Sequence, residues 1–441
     1  MKKYTLLRTF MLFIAALILC GWFSIHTQAA ITKGVKAPEQ TVCFEPDTTS
    51  VLKNPLTGWV MYLGRAWDEN FWQTQRYDAM PVNGGDSTVR VSDYAGTCYI
   101  RINWNMLESK EGKYVWNDPD SRIYKLLASV RERGMRLAFR INVDSRDQGQ
   151  NTPLYVKEAG AKGFQDPNNS QIWSPYPDDA VFQQKYEKFL QAFAVAFDDP
   201  DKVDFIDAYG LGKWGEAHGV KYNDYSKKEE VFEWITDVMS RLFTKVPIMI
   251  NYHRCLLSTK GSGDVDTGIS ADLVKRAVAK GFCLRHDAFG MKQYYKDWER
   301  GIAAAYRGIV PITMEGGWVE SSHGGSIAGD GYKNFAEVRQ GEYDEAKGSY
   351  VNMMDFRFAT NVNTGETHSW FNTAFHLVKE FIAEGGYRLY PDRLSIPTTA
   401  RSGSNVSLTH RWSNLGWGYC PTNLPQYGDK YKLAIALLDK N

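Results

Sequence analysis

The chain has 441 residues, 43% of them hydrophobic and 23% charged, and its 52 Lys and Arg against 51 Asp and Glu leave a formal charge of +1. That balance excludes a nucleic-acid-binding polycation and an acidic disordered protein, and the apolar share is enough for a large core. Aromatic residues are in excess, with 14 Trp, 25 Tyr and 22 Phe; stacking on sugar rings is one reason to hold such side chains at a surface.

In chain order, residues 1–29 read as a secretory signal. Lys2, Lys3 and Arg8 precede an apolar stretch over 10–23 that is short for a bilayer span, and Thr27-Gln28-Ala29 places small residues at the cleavage positions. The expectation is export to the periplasm, the cell surface or the medium, with no membrane span in the mature chain. An uncleaved anchor is the alternative, and a lipoprotein at Cys20 is disfavoured by Leu19. The mature chain is near neutral, which offers no electrostatic handle to nucleic acid or membrane and favours a neutral or weakly charged ligand. Cys43, Cys98, Cys255, Cys283 and Cys420 follow no metal-type spacing. They read as thiols outside any disulfide framework, with Cys98, Cys255 and Cys283 buried.

From residue 57 onward, short apolar runs alternate with amphipathic helical patterns, the signature of βαβ units. Strands are predicted over 59–63, 98–102, 136–142, 203–209, 247–252, 282–287, 309–315 and 349–354. Helices are predicted over 121–133, 179–197, 228–242, 271–280, 298–306 and 371–384, with Gly134, Gly281 and Gly385 placed to end three of them. Eight strands with interleaved helices fit a (β/α)8 barrel over 30–390; no GxGxxG follows any strand to favour an open doubly wound sheet. Tyr390-Pro391-Asp392 reads as a break. Beyond it, over 391–441, strands are expected at 405–412 and 432–438. About 50 residues remain there, where a sandwich needs on the order of 100, so this β-rich region reads as a truncated β-sandwich.

Barrel enzymes carry their chemistry at the C-terminal ends of the strands. The fourth predicted strand leads into Gly210-Leu211-Gly212-Lys213-Trp214-Gly215-Glu216-Ala217-His218, and the seventh into Glu315-Gly316-Gly317-Trp318. Each delivers a Glu beside Gly and Trp. Two facing carboxylates, one protonated to donate and one ionised to attack, are what glycoside hydrolysis needs. The expected catalytic pair is therefore Glu216 and Glu315. Binding groups are expected from the other strand ends: Arg101, Trp104, Asn142, Tyr252, His253, His286 and Asp287, with Trp214, His218, Trp318 and Trp370. Arg140, Asp144, Asp355 and Arg357 also follow apolar runs.

These residues resemble the retaining glycoside hydrolases of clan A. Tyr99-Ile100-Arg101-Ile102-Asn103-Trp104, then Leu107-Glu108 and Glu111-Gly112-Lys113-Tyr114-Val115-Trp116, look like the clan's R…W…E…EG.Y.W stretch. Asn54-Pro55-Leu56-Thr57-Gly58-Trp59 and Trp214-Gly215-Glu216-Ala217-His218 resemble a secreted bacterial family related to β-galactosidase-like barrels. The resemblance spans roughly 50–441. It implies a barrel glycosidase with Glu216 as acid/base and Glu315 as nucleophile, Arg101 keeping Glu315 ionised, no cofactor or metal, and an oligo- or polysaccharide substrate. One position departs: the clan places an Asn before its acid/base Glu to bind the sugar 2-hydroxyl, and this chain has Gly215. That contact would come from His218 or Asn142, or be absent.

Two rival readings follow from the same residues. His218, His253, His286 and Asp355 at strand ends suggest a metal-dependent hydrolase barrel, although Tyr62-Leu63-Gly64-Arg65 lacks the HxH pair such barrels carry on the first strand. A carbohydrate-binding barrel without catalysis is the other.

Overall fold

The computed structural model describes residues 38–63, 69–146, 149–255, 267–318, 326–357, 366–428 and 430–436. The expected signal at 1–29 and residues 437–438 of the last expected strand lie outside them. Eight strands, β1 Gly58–Tyr62, β2 Ala95–Asn103, β3 Arg136–Asn142, β4 Val203–Asp207, β5 Ile248–Asn251, β6 Phe282–Phe289, β7 Ile312–Gly316 and β8 Met353–Asp355, close in sequential order into a parallel barrel. Closure pairs Met354 of β8 with Trp59 of β1. Each strand falls on a predicted apolar run. Parallel strands covered on both faces must be apolar throughout, which makes them legible.

The helices form the outer layer. Ala180–Phe197 begins where the Asp179 side chain accepts from the Phe182 amide at 2.9 Å, and it buries Phe182, Tyr186, Phe189, Phe193 and Phe197 along one stripe. Gly134 and Gly281 take positive φ after their helices, as expected, but at the third end it is Gly386 rather than Gly385 that does so. The helix expected over 371–384 is two, Glu366–Thr373 and Phe375–Glu384. The helix Phe335–Gly348 was not anticipated, because its buried face includes Arg339 and Glu342, which form an ion pair and mask the hydrophobic period.

The Asn54–Trp59 run is a fastener at the base of the barrel. Leu56 N–H donates to Asp204 Oδ1 at 3.0 Å, Thr97 Oγ1 to Asp204 Oδ2 at 2.6 Å, and the Tyr387 hydroxyl to the Pro55 carbonyl at 2.7 Å. A three-stranded antiparallel sheet lies outside the barrel, built from Leu389–Pro397 between Glu39–Cys43 and Thr409–Asn414. Tyr390-Pro391-Asp392 is therefore no break. It lies inside a strand, where the register shifts between Pro391 and Arg393, and a bulge tolerates the proline. The strand expected at 405–412 starts later, and residues 432–436 are not strand.

Trp59 joins barrel to helices. Its ring lies 4.3 Å from Phe356, 4.8 Å from Trp370 and 4.9 Å from Phe381 (centroid distances), and its N–H donates to the Val378 carbonyl at 3.0 Å. Replacing it by Ala removes all four contacts. Chemical denaturation of Trp59→Ala should show a loss of about 3–5 kcal/mol; a loss below about 1 kcal/mol would show that the ring does not hold the closure together.

Candidate active site

Glu216 is presented by a tight loop after β4. The Lys213 amide donates to the His218 carbonyl at 2.8 Å, Glu216 N–H to the Lys213 carbonyl at 3.0 Å, and Ala217 N–H to the Leu211 carbonyl at 2.9 Å. Trp214, Gly215 and Ala217 all adopt positive φ, at 59°, 72° and 58°. For Trp and Ala that conformation is strained, a feature that concentrates at functional sites. At Gly215 a Cβ would meet Asn142 Oδ1 at 2.9 Å and Arg140 Cδ at 3.0 Å. The space the clan's Asn would need is thus taken by two β3 side chains.

Glu315, on β7, is buried, and Glu216 remains partly exposed. One guanidinium spans them: Arg101 Nη2 is 2.9 Å from Glu216 Oε1, and its Nη1 is 3.2 Å from Glu315 Oε1 and 2.8 Å from the Tyr62 hydroxyl. Arg285 and Arg357 also pair with Glu315. Beneath them, Arg140 Nη2 is 2.7 Å from Asp207 and 2.9 Å from Asp287, and its Nη1 is 3.3 Å from Glu216. Arg285 Nε lies 2.6 Å from Asp207. The Tyr99 hydroxyl donates to Asp207, and the Asn251 amide to Asp287. One oxygen each of Glu216, Asp287 and Glu315 lies within 4.8 Å of the others.

This layer separates the two glutamates electrostatically. Burial, then the neighbouring Asp287 carboxylate, push Glu216 up to about 7. Burial also pulls Glu315 upward, but Arg101 and Arg357 outweigh it and hold its pKa below the ordinary value. Asp287, buried but facing Arg140 and Arg285, is likewise held low. Asp355, next along β8, is raised to about 7 by burial and by Glu315. Its Oδ1 accepts from the Gly316 and Arg357 amides, both at 2.9 Å, tying together the backbones that carry Glu315 and Arg357.

Of the residues expected here, Arg101, Glu216, Asp287 and Glu315 meet directly, and Asn142 packs against the Glu216 loop. Trp214 and His218, in edge contact at 5.1 Å, flank Glu216. Trp318 is partly exposed near Arg357, 5.9 Å from its guanidinium carbon. Three aromatic expectations are corrected. Trp104 is fully buried, donates to Glu108 at 2.9 Å and packs on Tyr186 and Phe189 under the helix layer. Tyr252 is fully buried with its hydroxyl on Tyr295 at 3.1 Å, and Trp370 is fully buried against Trp59. None of the three reaches the opening. Arg285, Asp207, Asn251 and Tyr99 were not foreseen. The available signal was a charged residue within a strand otherwise expected to be buried, as Arg285 is in β6 directly before His286 and Asp287.

The histidines form a separate group. His253 Nδ1 is 2.5 Å and His286 Nε2 3.4 Å from Glu299 Oε1, while Glu299 Oε2 accepts from the Lys296 amide at 2.6 Å. The spacing of His253, His286 and Glu299 would admit a metal ion, as would that of Glu216, Asp287 and Glu315. In the second group the arginines already occupy the carboxylates. In the first, Glu299 is engaged by both rings and a backbone amide. His218 and Asp355 belong to neither, so the four-residue metal constellation expected from strand ends is not assembled.

No family model matches the sequence, and no curated protein matches it. Among solved structures, the chain is similar to an exo-β-1,4-mannosidase from Opitutaceae bacterium strain TAV5, with 13% identity and a TM-score of 0.45, over 77% of this chain and 62% of that one. It thus spans less than two thirds of the mannosidase. It is similar to endo-glycoceramidase II from Rhodococcus sp., with 12% identity and a TM-score of 0.42 over 79% and 82% of the two chains. For xylanase 10B from Thermotoga petrophila RKU-1 the values are 10% and 0.41 over 74% and 93%. At such identities and scores these matches carry no functional weight, and the (β/α)8 barrel rests on its own strand pairing.

Proposed function

We propose that this protein is a glycoside hydrolase that cleaves an oligo- or polysaccharide by retaining double displacement. The observation that carries the reading is a pair of carboxylates bridged by Arg101, one poised near 7 and one held ionised, with oxygens within 4.8 Å. Retaining enzymes hold their carboxyl groups about 5–5.5 Å apart, whereas inverting ones leave about 6.5–9.5 Å for a water. Glu315 attacks the anomeric carbon as Glu216 gives its proton to the departing glycosidic oxygen. In the second step Glu216 takes a proton from water, the water oxygen attacks the same carbon, and the bond to Glu315 breaks. Trp214 and Trp318 supply stacking faces at the two sides of the pair. The basic, apolar and small-residue order of residues 1–29 supports export alongside this activity.

The pH profile follows from the two carboxyls. Glu216 must be protonated, so kcat/KM should fall as pH rises through about 7. Glu315 must be ionised, so the acid limb should lie below the ordinary Glu range. Glu216→Gln should abolish the alkaline limb and lower kcat by roughly 10²–10⁴-fold on substrates with poor leaving groups. An alkaline limb unchanged in that variant would assign the proton to another group. Restoring the clan's side chain should not help. Gly215→Asn forces a Cβ onto Asn142 and Arg140 at positive φ, and should lower stability by about 1–3 kcal/mol with no gain in rate; a faster, equally stable variant would show that the loop has room for it.

A further inference from the structure

The ladder that joins β7 to β8 stops just before Glu315: Thr313 pairs with Met353 and Met314 with Met354. Asp355 pairs instead with Val60 of β1, and Phe356 N–H donates to the Val60 carbonyl at 3.1 Å. Glu315 is then followed by Gly316 and Gly317, the residue type that restrains its own backbone least. Two buried carboxyls hold this stretch instead. Asp355 Oδ1 accepts from the Gly316 amide at 2.9 Å as well as from the Arg357 amide. Glu342 Oε1, from the outer helix Phe335–Gly348, accepts from the Gly317 amide at 3.2 Å, a donor that the Phe289 carbonyl shares at 2.9 Å. Glycine makes room for Glu342 on two sides. A Cβ at Gly316 would meet its Oε1 at 2.7 Å, and one at Gly290 would overlap its Cγ.

Both carboxyls are costly to keep there. Each is buried, and burial above all pushes each up to about 7. Arg339 offsets part of that cost for Glu342, whereas Asp355 Oδ2 is buried with no hydrogen-bond partner among the described residues. Packing alone gives no reason for an acid with an unpaired oxygen at this place. Resting on the glycosidase reading above, we propose that Asp355 and Glu342 are positioning residues, which aim Glu315 at the anomeric carbon by gripping the two peptide groups that follow it. Arg101, Arg285 and Arg357 hold the carboxylate end of Glu315; Asp355 and Glu342 hold its backbone end. An attacking atom must lie about 3–3.5 Å from its target, and misplacement by about 1 Å costs on the order of 10²-fold in rate. A nucleophile set before two glycines meets that tolerance only if its backbone is held from outside.

The probes are 2,4-dinitrophenyl glycosides of glucose, galactose, mannose and xylose, whose leaving group needs no proton from Glu216, so that its release reports attack by Glu315. Single-turnover release of dinitrophenolate, followed against enzyme concentration, separates the binding constant from the rate of attack. On the glycoside that the wild-type chain cleaves fastest, Asp355→Ala should lower the rate of attack by about 10²-fold while the binding constant stays within about three-fold. Asp355→Asn and Glu342→Gln, which keep an acceptor for the Gly316 and Gly317 amides, should stay within about ten-fold of the wild-type rate. Melting temperatures control for folding, and Asp355→Ser, which withdraws the acceptor by one bond, takes the place of Asp355→Ala if that variant does not fold. A folded Asp355→Ala or Asp355→Ser protein that attacks at the wild-type rate, or an Asp355→Asn protein as slow as either, overturns the positioning role and leaves the glycosidase reading standing. Release from none of the probes by the wild-type chain, with no hydrolysis of any glycan, overturns the glycosidase reading and this inference with it.

Discussion

Arg101 ties the site together. Its guanidinium reaches Glu216 from the loop after β4, Glu315 on β7, Tyr62 on β1 and the carbonyl of Trp214, the last at 2.5 Å. Without it, two carboxylates this close, one of them buried, would repel, and the pair would favour holding a shared proton. Arg140 and Arg285 extend the same logic to Asp207 and Asp287, and Arg357 adds a further cation to Glu315, so that each of these buried carboxylates meets an opposite charge. Such layers add little net stability over apolar packing but are costly to break, since removing one partner strands another charge in a dry interior. Their use here is to set protonation: at Glu315 the arginines outweigh burial, whereas at Glu216 burial and the Asp287 carboxylate outweigh Arg101 and Arg140 and push it the other way.

The barrel makes this layer possible. Side chains from the C-terminal ends of β2, β3, β6 and β7 converge with the loops after β4 and β8, and the strand pairing fixes Arg101 directly opposite Arg140 in register. The strained turn over Trp214–Ala217 then lifts Glu216 out of that layer to partial exposure. Position and strain give the two glutamates different environments: Glu315 within a strand and walled by cations, Glu216 on a loop beside solvent.

Much of this was legible because buried parallel strands write themselves as apolar runs, and the two glutamates stood out as acids following such runs beside Gly and Trp. The partners were less legible. Arg285 and Asp207 lie within strands, where a linear reading treats a charge as an interruption, and only closure of the barrel brings them under the site. The aromatic residues misled in the other direction. Trp104 and Trp116 belong to the stretch that carries the family resemblance, yet both pack inward: Trp116 stacks on Tyr114 and meets Phe193 and Phe197. Glu108 in that stretch accepts from Trp104, Gly112 and Tyr155 at 2.7–2.9 Å. That motif fastens the loop after β2 to the helix layer, so its resemblance speaks for architecture. The run ending in His218 is the one that builds the site.

Glu315, rather than Asp287 in the same cluster of carboxylates, is the group assigned to bond to the sugar. Peptide mapping by mass spectrometry after inactivation with an activated 2-deoxy-2-fluoro glycoside, chosen from the glycans the protein binds, tests this directly. The account predicts one glycosyl adduct, on the peptide containing Glu315, lost in Glu315→Gln. An adduct on Asp287 or Glu216, or turnover of a natural glycan with inversion at the anomeric carbon, would contradict it.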